Sequence, residues 1–242
     1  MKNYKADFHI HTVLSPCGSL DMSPVNIIQA AKKKHINIIG ITDHNATQHT
    51  QVAKKIGDRE GVFVMCGCEV CTKEDIHCLA FFEKPEEITE FQAYIDKYLP
   101  PIPNDPDKFG YQVIVNEDEE IVDELPYYLL SGIDQSMEEV QAEVKSLNGI
   151  FIPAHIDRPT FSVTSQLGFV PLDLTPDAFE ISKFCSFQKI LKLYPYISSY
   201  RITQDSDAHF IDDVGCVCNV LELEELSFKS IRDYLCTKTD SK

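Results

Sequence analysis

Asp7-Phe8-His9-Ile10-His11-Thr12 is the stretch on which the reading of this chain turns. Side chains alternate along a strand with period two, so His9 and His11 point to the same side, a geometry suited to chelation. Moving outward, an apolar segment at 36–42 ends at Asp43-His44, another at 62–65 ends near Glu69, and a third at 77–82 begins with His77. Later segments at 150–152, 178–181, 200–203 and 216–223 also read as strands, with His155 and Asp207-Ala208-His209 just beyond strand ends.

Between these strands lie helix-length amphipathic segments. Ser23 is an N-cap with Pro24 in the first turn; Pro85 opens a helix carrying Ile88, Phe91, Ile95, Tyr98 and Leu99. Ser136 and Glu139 form a capping box, Gly149 is the stop, and residues 227–236 make a last helix. This alternation predicts seven or eight βα units in a parallel sheet, closed as an α/β barrel. The rhythm breaks at about 100–130, where prolines precede hairpin arms at 111–115 and 121–122. That stretch is too small for its own core, so the expectation is one domain over 1–242 with an insertion there.

Six of the eight histidines lie at strand ends, where a barrel gathers groups from different strands on one rim. Each piece has a bland alternative: His77 as a core histidine, Glu69 as a solvated loop acid, Cys68-x-x-Cys71 as small rim residues and not a zinc or redox pair. Jointly, the order His-x-His, Asp-His, Glu, His, His, Asp-x-His implies divalent metals.

The 242 residues are 43% hydrophobic and 25% charged, enough for a large core. The net charge of −16 argues against extended nucleic-acid binding, which rests on basic side chains, but allows a small phosphorylated substrate at a metal. No secretory leader or membrane span is expected, and the nine cysteines read as reduced thiols of a cytoplasmic protein.

These motifs, Asp7 to Thr12, Ile41-Thr42-Asp43-His44-Asn45, Gly67-Cys68-Glu69, His77, Pro153-Ala154-His155 and Ser206-Asp207-Ala208-His209, resemble those of the polymerase-and-histidinol-phosphatase (PHP) phosphoesterases. The resemblance implies a distorted seven-stranded TIM-like barrel and phosphate-ester hydrolysis at two or three divalent ions (Zn²⁺, Mn²⁺ or Fe²⁺). By motif, His9, His11, Glu69 and Asp207 would hold one ion, Glu69 with His77 and His155 a second, and His44 with His209 a third. Many relatives carry an Asp or His soon after the first motif; here Pro16 stands near that place, leaving Cys17, Asp21 or a water as substitutes, or a third ion that is weak or absent.

Such a centre would acidify a shared water and let the resulting hydroxide attack a phosphomonoester of a small metabolite or nucleotide. Asp207 and His209 would serve catalysis as well as ligation. Arg158 and then Lys183 are the candidate cations for the phosphoryl charge, with Asp7 and Asp43 fixing ligand tautomers. The rival readings are an amidohydrolase-like metal hydrolase, a proofreading exonuclease, and a metal-binding sensor without turnover.

Overall fold

A computed structural model describes residues 1–238. In chain order the elements are β1 (Lys2–Ile10), α1 (Pro24–Lys33), β2 (Ile38–Ile41), α2 (Thr50–Glu60), β3 (Phe63–Cys71), β4 (His77–Phe82), α3 (Pro85–Tyr98) and α4 (Pro106–Phe109). They continue through β5 (Val113–Val115), β6 (Ile121–Glu124), α5 (Met137–Ser146), β7 (Ile150–Pro153), α6 (Val163–Leu167), β8 (Ala178–Ile181), α7 (Phe187–Leu193), β9 (Arg201–Gln204), β10 (Asn219–Leu223) and α8 (Phe228–Cys236). The caps act as their residue types require: the hydroxyls of Ser23, Ser136 and Ser227 accept from Asn26, Glu139 and Ser230 N–H at the starts of α1, α5 and α8.

The fold is α/β with a curled sheet. Six strands share one sheet in the order β10-β1-β2-β3-β4-β7, and β8 and β9 form a separate parallel pair. The expected single seven-stranded barrel is therefore not what forms. The pair instead continues the curl: Asp177 N–H donates to Phe151 O (3.0 Å) and Ile156 N–H to Glu180 O (2.9 Å). The curl returns to β1 through His11 N–H donating to Ala208 O (3.0 Å).

Nor is the sheet wholly parallel. β4 runs antiparallel to both β3 and β7, and β10 antiparallel to β1. Only residues 72–76 separate β3 from β4, far short of a parallel crossover, so the two close as a hairpin. This reversal puts the start of β4, with His77, opposite Cys71 at the end of β3.

Alternation divides the apolar residues into two cores. One lies between the sheet and its helices and holds Ile39, Val64, Cys66, Phe82, Phe91 and Val140. The other fills the inside of the curl with Ala6, Phe8, Met65, Leu79, Phe81 and Ile152, and α8 joins it through Phe228 and Ile231. Gly67 is one of the places where this inner core is tight. A Cβ there would lie 2.1 Å from Ala80 O and 2.6 Å from the Phe81 ring, so only glycine lets β3 and β4 pack this closely below Glu69.

The hairpin expected within 100–130 is present as β5 and β6, pairing antiparallel. It is tied to the first strand's exit by His49, whose Nε2 accepts from Val115 N–H (2.8 Å) and whose Nδ1 lies 2.6 Å from Thr12 Oγ1. No helix among the described residues is long and apolar enough to cross a membrane.

Because Phe81 is fully buried against Phe8 (ring centroids 6.4 Å) in the inner core, Phe81→Ala is expected to cost about 3–5 kcal/mol. Urea unfolding should show a lower midpoint with an unchanged slope.

Candidate metal centre

At the top of the inner core, apolar residues give way to histidines and carboxylates. The switch begins in β1. Its pairing with β2 shifts register between Asp7 and Ile10, so one extra residue is accommodated. Phe8 faces the inner core, yet Ile10 belongs to the outer one. The bulge thereby turns His9 and His11 inward, above Phe8.

Glu69, on the same face of β3 as Met65 and Gly67, occupies the middle. Its Oε1 lies 2.9 Å from His77 Nδ1, 3.0 Å from His155 Nε2 and 3.3 Å from His9 Nε2. Its Oε2 lies 3.0 Å from His44 Nδ1 and 3.4 Å from His11 Nε2. Asp207 Oδ1 stands 3.6 Å from His9 Nε2, 3.4 Å from His11 Nε2 and 3.5 Å from His209 Nδ1. Three sets of donors each lie within 4.8 Å of one another: His9, His11 and Glu69; His44, Glu69 and His77; His11, His44 and His209.

A divalent cation suits this set chemically. The Nε2 atoms of His9 and His11 face each other at 3.1 Å, and His155 Nδ1 is buried without a hydrogen-bond partner. Burial and the neighbouring His11 push His44 down to about 3, and the same two causes push His209 down to about 4, leaving both rings neutral as ligands must be. Burial opposes ionisation of Glu69, but the imidazoles around it, His77 and His9 foremost, outweigh it and hold the carboxyl well below its ordinary range. At His9 burial acts downward too, yet Glu180, Glu69 and Asp207 raise it well above its ordinary value. The carboxylates thus demand positive charge at the centre, which a proton on His9 supplies when no metal does.

Around the donors a further layer fixes their direction. Glu180, which falls in the predicted strand at 178–181 and was not among the expected site residues, places Oε1 and Oε2 2.9 and 3.1 Å from His9 Nδ1, leaving Nε2 to face inward. Glu180 also accepts from His155 N–H (2.9 Å). Its signal was an acid in the otherwise apolar Ala178-Phe179-Glu180-Ile181. Asp43 acts through Ser15, whose Oγ donates to Asp43 Oδ1 (2.7 Å) and lies 3.1 Å from His11 Nδ1. Asp7 differs from expectation. It accepts from Ser206 N–H (3.0 Å), Ser206 Oγ–H (2.6 Å) and Gly215 N–H (2.8 Å), so it anchors the loop bearing Asp207 and orients no imidazole. The backbone is strained at two donors, His155 (φ 29°) and Asp207 (φ 48°), as happens where a side chain's aim outweighs local preference.

Cys17 and Asp21 join none of these donor sets, and Asp21 is exposed. Instead His11 completes a trio with His44 and His209, and His44 also approaches Glu69 more closely than a separate third site implies. Arg158 Nη1 donates to Asp207 Oδ2 (2.6 Å), at the edge of the centre. Lys183 Nζ pairs with Asp213 Oδ2 (3.2 Å) and lines a cleft of about 300 Å³ with Arg158, Asp207 and His209. All nine cysteines are free thiols. Cys66, Cys68 and Cys71 are buried away from the donor sets, with burial pushing Cys66 and Cys71 up to about 12.

The PHP domain model matches residues 7–156, more than half of the sequence. The chain belongs to the PHP domain family. An uncharacterized protein of Methanocaldococcus jannaschii is 40% identical over 78 residues, covering 29% of this PHP chain and 46% of that relative. The lesion-specific endonuclease PfuEndoQ from Pyrococcus furiosus has a similar fold (TM-score 0.71, 20% identity), covering 97% of this chain and 56% of the endonuclease. A protein of Bifidobacterium adolescentis to which metal-dependent phosphoesterase activity is ascribed is also similar (TM-score 0.58, 21% identity), with 98% and 97% covered. This chain thus spans about half the length of the first two.

One expectation is corrected here. The acidic balance was read as arguing against extended nucleic-acid binding, yet the fold is shared with Endonuclease Q in complex with a 27-mer duplex carrying an abasic lesion at the active site (TM-score 0.66, 20% identity; 96% of this chain and 56% of that one). Net charge is an average over the whole surface and does not report the local field inside one cleft.

Two outcomes follow from the geometry. Metal uptake must displace the proton that Glu180, Glu69 and Asp207 hold on His9 well above its ordinary range, so binding at neutral pH should release a proton and apparent affinity should fall as pH falls. Calorimetry in buffers of differing ionisation enthalpy measures both, and uptake without proton release contradicts it. Glu180→Gln should weaken metal binding about 10–100-fold in competition with a chromophoric chelator.

Proposed function

We propose that this chain is a metal-dependent phosphoesterase in which His9, His11, His44, Glu69, His77, His155, Asp207 and His209 hold two or three divalent ions. The supporting observation is the division of donors across Glu69, whose two oxygens each face a different set of imidazoles. A carboxylate so placed is suited to bridge two ions. Bound there, Zn²⁺, Mn²⁺ or Fe²⁺ would polarise a phosphoryl oxygen and acidify water.

The remaining work belongs to the chain's own side chains. Glu180 and the Asp43–Ser15 pair hold the His9 and His11 rings by their Nδ1 atoms, so these ligands need not reorganise. Arg158, steadied by Asp207, offers its other guanidinium donors to the phosphoryl group, and Lys183 adds charge farther out in the cleft. Glu69 stands at the centre where amidohydrolase-type sites often use a lysine, which favours phosphate esters over amides. We read the described residues as one domain, with 100–130 an insertion at the rim, and the substrate as a phosphomonoester of a nucleotide or another metabolite.

The test uses protein loaded separately with each metal, assayed on phosphomonoesters, cyclic amides and abasic duplex DNA. Wild type should release inorganic phosphate, and His155→Ala should lose at least about 100-fold in kcat/KM. Equal background rates in both proteins would point to a metal-binding protein without turnover. Amide hydrolysis alone would make it an amidohydrolase, and nicking of duplex without phosphate release would make it a nuclease.

A further inference from the structure

The cleft beside Asp207 and His209 has an unusual outer wall. Phe184 is 87% exposed and Phe210 59%, and both line it. Their meeting follows from strand register: β8 and β9 pair in parallel with Ile181 opposite Gln204, so the loops leaving both strands emerge side by side. One carries Ser182-Lys183-Phe184 and the other Asp207-Ala208-His209-Phe210. Each loop therefore presents a polar group to the cleft and then a phenylalanine to solvent. Other rings also reach solvent, Phe169 (55%) and Tyr111 (50%) among them, but Phe184 and Phe210 are the two most exposed aromatic side chains among the described residues, and both stand at one cleft mouth, which calls for an occupant.

We propose that Phe184 and Phe210 form a stacking subsite for a nucleobase carried by the phosphoester substrate. The proposal rests on the phosphoesterase reading above. The cleft, about 300 Å³, lies in the size range of small-ligand sites. Its inner end holds Asp207, His209 and Arg158, where a phosphate would sit, and its outer end holds the two rings. Lys183 Nζ lies 5.8 Å from the Phe184 ring centroid and pairs with Asp213, so the wall combines flat apolar faces with a cation and a carboxylate. A nucleobase matches each of these: its faces stack on the rings, and its exocyclic amino group can donate to Asp213. An aliphatic alcohol would match neither.

The test compares adenosine 5′-monophosphate with glycerol 3-phosphate on the metal-loaded protein. Phe184→Ala and Phe210→Ala should each raise the ratio of the KM for adenosine 5′-monophosphate to that for glycerol 3-phosphate about tenfold. A merely structural role would move both KM values together, and that result overturns the subsite. Binding is read separately from turnover. The chain contains no tryptophan, so Phe184→Trp places a single reporter in the wall. Its emission should be quenched by adenosine 5′-monophosphate and not by equal glycerol 3-phosphate. Quenching without hydrolysis would sink the phosphoesterase reading and leave the subsite standing. Hydrolysis of glycerol 3-phosphate with no quenching by the nucleotide would sink the subsite alone.

Discussion

The buried carboxylate of Glu69 is the constraint around which the top of this molecule is organised. It stands within 3.4 Å of ring nitrogens from His9, His11, His44, His77 and His155, contributed by β1, β4 and the segments after β2 and β7. An ionised carboxylate with almost no exposure is costly unless positive charge or strong donors surround it. Every neighbouring element delivers such a group. The same demand explains the burial of Asp207 against His9, His11 and Arg158, and the raised basicity of His9.

Two irregularities make that convergence possible. The bulge in β1 lets Phe8 fill the inner core while His9 and His11, the next inward residues, reach the centre. The β3–β4 hairpin reverses β4, so a histidine that begins a strand arrives at the rim where the others end. A sheet of uniform parallel βα units would have put His77 at the opposite end. The strained backbone at His155 and Asp207 is the local cost of aiming those side chains, offset by the hydrogen bonds of Glu180 and Asp7 around them.

Much of this was legible in the amino-acid order. The histidines and acids of the centre, the hairpin within 100–130 and the capped helices at Ser23 and Ser136 all follow from spacing and residue type. The role of Glu180 was not, although an acid in an apolar strand was its mark. Nor was the loss of a single closed barrel, because alternation reports which faces are buried and not which neighbour each strand takes. The reading of overall charge was misleading for a related reason: a sum over the surface carries no information about the field inside one cleft.

By itself, then, the sequence determined which residues could ligate metal and which could form the core, since both follow from side-chain chemistry and local periodicity. Only the tertiary structure decided how the donors divide about Glu69, that His11 joins His44 and His209, and that Phe184 and Phe210 line one cleft beside them. Those depend on strand direction, register and one extra residue in β1, which are settled by packing between segments far apart in the chain.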